Sequence, residues 1–538
     1  MAESKVPGVF AFDMMAKAEE QPDFKVLVFE NDPYPPESLT YADLVIKGNK
    51  FAERLRRNGI GKGDTFSLLM RNHPEVILAM YAGSALGAIV VPIDPRSKGE
   101  KLIYQLRDSG SKGIILSADL IENFQEVAQS VPEIKPVGAI YNEEFGISPD
   151  SNFPNLDEIW NIPEAPGLSP QNHSPKDQVM IIYTSGTTGN PKGVKIKAER
   201  TQAFSLLAQL VWKYTQEDRL YTGLSLTHGN AHAVTLTPAL SLSIPAVISR
   251  KFTKSRIWDI CRQYGCTTFS LLGGMMMGIY SEPQRPDDAD NPVRKVISAG
   301  TPLPIWEAFE QRFNVKIHEW YGAVEGGFAH NPPGDGPIGS FGKPLDGFME
   351  MKIVREDDTE CNPFEVGELI CRMASGPTEV EYHGKPEASQ KKTRGGWLRT
   401  GDMCHIDENG WFYFDYRKGG GLRRQGEFIM PEYVERVIAE HPDVNEVCVF
   451  GVPAESGAPG ESDLVAAIVP PEGKQPDIGA ILAACKAGLE KNSIPTYLQI
   501  VPEIPKTISE KNLDRLLMEA FSPEKPNVYR LADWKRPA

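Results

Sequence analysis

The run Tyr183-Thr184-Ser185-Gly186-Thr187-Thr188-Gly189-Asn190-Pro191-Lys192-Gly193 concentrates the residue types that hold a polyphosphate. Its glycines let backbone amides come close to an anion. The hydroxyls of Thr184, Ser185, Thr187 and Thr188 add donors, and Lys192 adds a positive charge. The spacing excludes two other phosphate loops, G-x-x-x-x-G-K-[ST] and G-x-G-x-x-G. The second pattern does occur at Gly334–Gly339. Two prolines precede it, Pro337 interrupts it and no apolar strand leads in, so it reads as a loop. Downstream, Tyr321-Gly322-Ala323-Val324-Glu325 pairs an aromatic ring with a carboxylate. A carboxylate beside phosphates is what a hard cation needs, and an aromatic face suits a purine. His228 and His232 are four apart, as in a helical zinc pair. The intervening Gly229-Asn230 and the missing H-E-x-x-H pattern argue against a metal there.

The loop and a collinear set of further motifs resemble the adenylate-forming enzymes: acyl-CoA synthetases, luciferases and peptide-synthetase adenylation domains. The resemblance runs from SLTYADL (Ser38–Leu44) to PKTISEKNLDRLL (Pro505–Leu517). It is strongest to the crotonobetaine/carnitine-CoA ligase branch, through LTHGNAH (Leu226–His232) and PQRPDDADNPVR (Pro283–Arg294). By that resemblance Thr184, Ser185, Gly186, Thr187, Thr188, Gly189 and Lys192 hold the phosphates of ATP. Gly300, Thr301 and Pro302, in SAGTP, contact adenine; Tyr321 stacks on it beside Gly322; and Glu325 binds Mg²⁺. Asp402, ending WLRTGD, holds the ribose together with Arg417. Lys511 bridges carboxylate and phosphate oxygens during adenylation, Gly426 lines the pantetheine tunnel of CoA, and His228 borders the acyl and thiol pockets. Lys511, His228 and Glu325 are thus the implied catalytic residues, and Gly420 is the implied hinge. Three positions depart from the pattern: Val324 stands for threonine, Glu510 for glycine, and Gly420 for the hinge aspartate. The methionines of Leu272–Gly278 would lie near the acid's tail, although a methionine run is more often core.

These residues need elements to position them. FSLLM (Phe66–Met70), GAIVVPID and VMIIYT (Val179–Thr184) read as buried strands, with an apolar helical stretch after His73-Pro74-Glu75. Phe204, Leu207, Ala208 and Val211 recur at helical spacing, so the phosphate loop joins a strand to a helix after a short extension. Such alternation predicts α/β architecture. Gly419-Gly420-Gly421 cannot sit cheaply inside a helix or strand, which puts a boundary at Lys418/Gly419. Beyond it, Pro431 opens a helix carrying Val434, Val437 and Ile438; EVCVFGVP and LVAAIVP read as strands; and Asp477 caps a helix with Ile478, Ile481, Leu482, Cys485 and Leu489 in register. The expected fold is a large mixed α/β domain with several sheets, residues 1–418, plus a small mobile α+β domain, 419–538, as in adenylate-forming enzymes.

The chain has 538 residues, with 57 Lys+Arg against 72 Asp+Glu and a net charge of −15. That balance disfavours nucleic acid as a partner. The seven cysteines are scattered and form no C-x-x-C, which disfavours a thiolate zinc site and suits a reducing compartment. The N-terminus lacks the pattern of a signal peptide, and no stretch approaches the length of an apolar membrane span. The expectation is a cytoplasmic enzyme whose partners are a small carboxylate, ATP with Mg²⁺, and CoA. Its reaction would be formation of an acyl-adenylate, then displacement of AMP by the CoA thiol. Two alternatives remain open at the level of sequence: loading of a separate carrier protein, and a non-catalytic nucleotide-binding module. Neither the acid nor the oligomeric state can be read from it.

Overall fold

A computed structural model describes residues 8–149, 152–161, 170–171, 174–184, 190–417, 422–425, 427–457, 461–505 and 514–534. Two large sheets carry the chain as far as Pro344. In the six-stranded sheet the order is Lys135–Ile140, Ser111–Ser117, Thr65–Leu69, Ile89–Ile93, Gln178–Thr184 and Lys192–Lys197. Its first five strands run parallel, and the last returns antiparallel as a hairpin around the Ser/Thr/Gly loop. The "short extension" expected after that loop is therefore an edge strand, KGVKIK, before the helix Glu199–Leu210 begins. In the nine-stranded sheet, Lys25–Asn31, Ala246–Ser249, Leu220–Thr222, Thr268–Leu272, Lys295–Ala299 and Lys316–Ala323 are parallel neighbours, with antiparallel strands at both edges.

The helix Pro74–Leu86 (PEVILAMYAGSAL) is buried at every position except Met80. A helix apolar all round can only be a core element, and this one starts with proline in its first turn and ends on Gly87 at φ 69°. The neighbouring helix Tyr41–Arg57 starts at a capping box in which Thr40 and Asp43 satisfy each other's backbone amides.

A four-stranded antiparallel sheet follows, made of Met349–Val354, Gly367–Met373, Leu398–Ile406 and Phe412–Arg417. After the gap in described residues, the chain resumes as a two-stranded hairpin, Leu422–Arg424 with Glu427–Ile429. Then come the helices Pro431–Ala439 and Ile478–Gly488 and a second four-stranded sheet. Asp477 caps the latter helix, accepting from the Ala480 amide at 3.0 Å. The apolar clusters built from residues up to Phe414 share no member with those built from Leu422 onward. All seven cysteines are free and buried. Among the described residues no helix is long and apolar enough to cross a membrane.

Candidate active site

Both parallel sheets aim their carboxyl ends at one cavity of about 1790 Å³, the place where open α/β sheets bind ligands. From one sheet come Pro92, Asp94, Tyr183 and Thr184; from the other come Leu272, Ala299-Gly300-Thr301 and Tyr321–Glu325. The hairpin of the C-terminal part closes the opening with Arg423 and Glu427.

Of the residues singled out from sequence, Thr184, Lys192, His228, Gly300, Thr301, Tyr321, Gly322, Glu325 and Asp402 all line this cavity. Pro302 stands just behind the wall, packed toward Gly273. Ser185, Gly186, Thr187, Thr188, Gly189, Gly420, Gly426 and Lys511 lie outside the described residues, as does the side chain of Arg417. The Arg417 backbone pairs across the sheet with Asp402. The methionine run proves to be a helix, Gly273–Tyr280, with Met276 fully buried; Leu272 lines the cavity and the methionines do not.

Tyr321 donates its hydroxyl to Asp402 Oδ2 at 2.5 Å, and its ring lies 4.8 Å from that of Phe341. Burial pushes the Tyr321 hydroxyl pKa well up, and the Asp402 charge adds to this. The Ser298–Pro302 turn needs its glycine, since Gly300 has φ 78°. Beneath the turn, Glu319 accepts from the Gly300 amide at 2.6 Å and from the Thr301 hydroxyl at 2.5 Å. Its burial raises its pKa to about 7 in spite of those bonds. Gly273 matters for a different reason: a Cβ there would lie 1.8 Å from the Gly300 carbonyl oxygen, so the strand end and the turn touch backbone to backbone.

Glu325 Oε1 accepts from the Tyr382 hydroxyl at 2.9 Å and stands 3.5 Å from the Thr184 hydroxyl. Lys192 Nζ lies 5.6 Å from the centre of the Tyr382 ring. A carboxylate and a hydroxyl, oxygen ligands that suit a hard cation, thus stand with an ammonium that suits phosphate at the described ends of the loop. Oε2 of Glu325 has no hydrogen bond among the described residues, which leaves it available as a ligand.

Across the cavity, His228 Nε2 is 2.8 Å from Glu427 Oε1, and the same oxygen accepts from Arg96 Nη2 at 2.8 Å. Arg96 also binds Asp94, at 2.6 Å. The Glu427 charge raises the His228 pKa against its burial. Burial alone would raise Glu427, but His228 and Arg96 outweigh it and hold its carboxyl well below the usual range. Ligand atoms of Asp94, His228 and Glu427 lie within 4.8 Å of one another. The Arg96 guanidinium already serves as the cation between the two carboxylates. His232 Nε2 is bonded to the Leu226 carbonyl at 2.6 Å, so the His228/His232 spacing makes no metal pair. Further polar contacts seat the C-terminal part: Lys101–Glu490 at 2.7 Å, Lys98 to the Lys486 carbonyl at 2.7 Å, and Tyr433 to Asn190 at 2.7 Å.

Sequence reasoning missed Arg96, Glu319, Tyr382 and Arg200. Glu427, directly after Gly426, had no role assigned to it. None of them stands in a spacing that signals its role.

A cavity at the carboxyl ends of parallel strands, edged by a Ser/Thr/Gly loop, a buried aromatic–carboxylate pair and a second carboxylate near a lysine, defines a nucleotide-binding α/β enzyme. The chain belongs to the AMP-binding enzyme family. The model described as "AMP-binding enzyme" matches residues 14–377, and "AMP-binding enzyme C-terminal domain" matches residues 433–511. The crotonobetaine/carnitine–CoA ligase of Salmonella arizonae is 28% identical over 506 residues, 92% of this chain and 96% of that protein. A double mutant of o-succinylbenzoate CoA synthetase from Bacillus subtilis, bound with its product analogue OSB-NCoA, superposes with a TM-score of 0.80 at 25% identity, over 95% of this chain and 98% of that one. The same enzyme with the acyl-adenylate intermediate OSB-AMP gives a TM-score of 0.65 at 25% identity, over 94% and 97% of the two chains.

Proposed function

We propose that the chain is an ATP-dependent carboxylate–CoA ligase with two half-reactions in one cavity, worked by a body of residues 1–418 and a mobile part of residues 419–538. The observation that carries the reading is that the hairpin of the C-terminal part, through Arg423 and Glu427, walls the same cavity as Thr184, Lys192, Tyr321, Glu325 and Asp402. A nucleotide site closed by a second body suits a reaction whose second reactant enters after the first product has left. The contrast between the two Bacillus subtilis complexes points the same way, since the arrangement here fits the complex with the CoA product analogue better.

In the first half-reaction a carboxylate oxygen attacks the α-phosphorus of ATP; the bond from that phosphorus to the bridging oxygen breaks and pyrophosphate leaves. Lys192 and the hydroxyl of Thr184 would hold the phosphates, Asp402 the ribose, and Tyr321 with the Gly300–Thr301 turn the base. Glu325 would hold Mg²⁺, which supplies positive charge against the phosphate oxygens. Lys511 is the group proposed to bridge carboxylate and phosphate in this step. In the second half-reaction the CoA sulfur attacks the acyl carbon, the acyl–oxygen bond breaks, AMP leaves and the thiol proton passes to solvent. The Glu427 charge favours the protonated form of His228, which suits it to seating the hairpin rather than to accepting the thiol proton.

Pyrophosphate release with a panel of carboxylic acids, followed by thioester formation with free CoA, tests the reading. Pyrophosphate release without use of free CoA would redirect the second step to another thiol, and no release with any acid would remove the enzyme.

A further inference from the structure

The helix Glu199–Leu210 turns Arg200, Ala203, Phe204 and Leu207 toward the cavity, the spacing of one helical face. His232, Ala233 and Leu236, from the π-helical turn Ala231–Leu236, line the same cavity with Leu240. These residues and Trp212 make a largely apolar recess suited to an acyl chain. At its mouth the Arg200 guanidinium donates to the backbone carbonyls of Val324 and, at 3.1 Å, of Ala323, and it lies 5.5 Å from the Phe204 ring. It forms no salt bridge among the described residues. Glu325 acts on it only through space, and burial lowers its pKa to about 10. Buried charges are ordinarily paired with a charge of opposite sign. This one bonds two carbonyls, and its nearest opposite charge, Glu325, acts on it without direct contact.

A second observation lies beside it. Asn230 lines the cavity, and neither its Nδ2 nor its Oδ1, both buried, has a hydrogen-bond partner. Gly229, its neighbour, approaches Val324, whose side chain would be 3.4 Å from a Cβ placed on the glycine. Arg200 bonds the Val324 carbonyl, and Gly229, next to Asn230 in the chain, faces the Val324 side chain. A guanidinium without an ion-pair partner and an amide without a hydrogen bond, both lining this cavity, have the donor chemistry of a carboxylate receptor.

We infer that Arg200, with Asn230 beside it, anchors an anion at the mouth of the acyl recess, and that the acid activated here carries a second carboxylate. A monocarboxylic acid would leave the half-buried guanidinium with only the through-space charge of Glu325 to answer it. An acid bearing a quaternary ammonium group would set a second buried cation against it. The ATP phosphates are the other source of oxyanions in this cavity. The helical face of Arg200 continues through Phe204 and Leu207 into the apolar recess, which favours the acid; its carbonyl partners Ala323 and Val324 directly precede Glu325, so KM for ATP is measured alongside.

The inference rests on the ligase reading, and the test separates the two. Acids of equal chain length with one and with two carboxylates, plus a betaine, are compared by calorimetric binding and by pyrophosphate release, in wild type, Arg200→Gln and Arg200→Lys. The wild type should prefer the dicarboxylate in both measurements. Arg200→Gln should cut that preference in kcat/KM by about 30-fold or more, chiefly through KM for the acid, as for loss of one partner of a buried charge pair. Arg200→Lys should restore part of it, and the AMP affinity of each variant reports its folding. If Arg200→Gln slows all acids alike and raises KM for ATP, the anchor serves phosphate and the inference falls. It falls equally if the wild type prefers the monocarboxylate or the betaine. If no acid releases pyrophosphate while Arg200-dependent binding of the dicarboxylate persists, the anchor stands and the ligase reading falls. Absence of that binding overturns the anchor.

Discussion

Glu427→Gln probes the contact on which the closed arrangement turns. Glu427 Oε1 takes bonds from both Arg96 and His228, and its side chain is 21% exposed. Glutamine keeps the shape and one acceptor but removes the charge, leaving Arg96 with Asp94 alone and His228 without its counter-ion. Breaking a fully buried pair costs about 3–5 kcal/mol, whereas exposed pairs are worth about 0–1 kcal/mol. The Arg96 side chain is 38% exposed, so screening places this contact between the limits, at about 2 kcal/mol. That corresponds to about a 30-fold loss in the docking equilibrium. Single-turnover thioester formation from pre-made acyl-adenylate should fall by up to that factor, while adenylation followed by pyrophosphate exchange should not. The pH dependence has a definite sign. His228, raised on docking, contributes fully below its ordinary value of 6.5, and the contribution is lost as pH rises through the raised value. Glu427, lowered on docking, contributes above its ordinary value of 4.5 and loses that contribution only as pH falls through the lowered one. Wild-type thioester formation should therefore decline on the alkaline side, and Glu427→Gln should flatten that limb. Wild-type thioester rates in the variant, or equal damage to both half-reactions, would refute the reasoning.

Three further substitutions test other parts of the site. Glu325→Gln should raise the Mg²⁺ concentration needed for pyrophosphate release, and an unchanged magnesium titration would take Glu325 out of the metal site. Gly273→Ala should displace the Gly300 turn, weakening AMP binding and costing about 1–3 kcal/mol of stability; a calorimetric titration and a thermal melt both matching wild type would show that the turn yields freely. Lys511→Ala should slow acyl-adenylate formation by about 10²–10³-fold and spare thioester formation from the pre-made adenylate, and equal loss in both steps would reassign the residue.

Local signals in the sequence carried most of the elements. FSLLM, VMIIYT and EVCVFGVP are strands because their apolar runs are too short for a helix and are buried on both faces, and Asp477 caps the helix that its side chain announces. The edge strand Lys192–Lys197 was read only as an extension. Its hairpin turns through the phosphate loop instead of a two-residue turn, and its lysines alternate with Val194 and Ile196 in a pattern that also suits a solvated linker. Thr184, Gly300 and Tyr321 converged on one cavity because they stand at or next to strand ends, whereas Asp402 lies within Leu398–Ile406 and His228 in a turn beyond Leu220–Thr222. What stayed hidden are contacts made by topology. Arg96 and Glu427 are 331 residues apart, and Tyr382 reaches Glu325 from a separate loop. Arg200 was invisible for another reason: a lone arginine at the start of a helix is ordinarily solvated, and only its burial against two carbonyls marks it out.

The way the C-terminal part is seated bears on how two half-reactions share one cavity. Its apolar clusters are complete without any residue before Leu422. The contacts to the body are ion pairs and hydrogen bonds at its rim and at Glu427. Separating two apolar cores would expose surface in proportion to its area, whereas undocking a polar seam exchanges protein partners for water at a cost of a few kcal/mol. Two orientations separated by so little can each be selected by whichever ligand completes the cavity, since a ligand shifts the balance by its difference in affinity for the two. On the proposed reading, an orientation presenting Lys511 would gain with acid and ATP bound. Once pyrophosphate has left, the charge that favours a lysine would be reduced, and the pairing of Glu427 with Arg96 and His228 would draw the hairpin back. Gly420, standing where the resemblance has a hinge aspartate, would suit a seam of this strength if it is the pivot, because wide backbone freedom adds little barrier of its own.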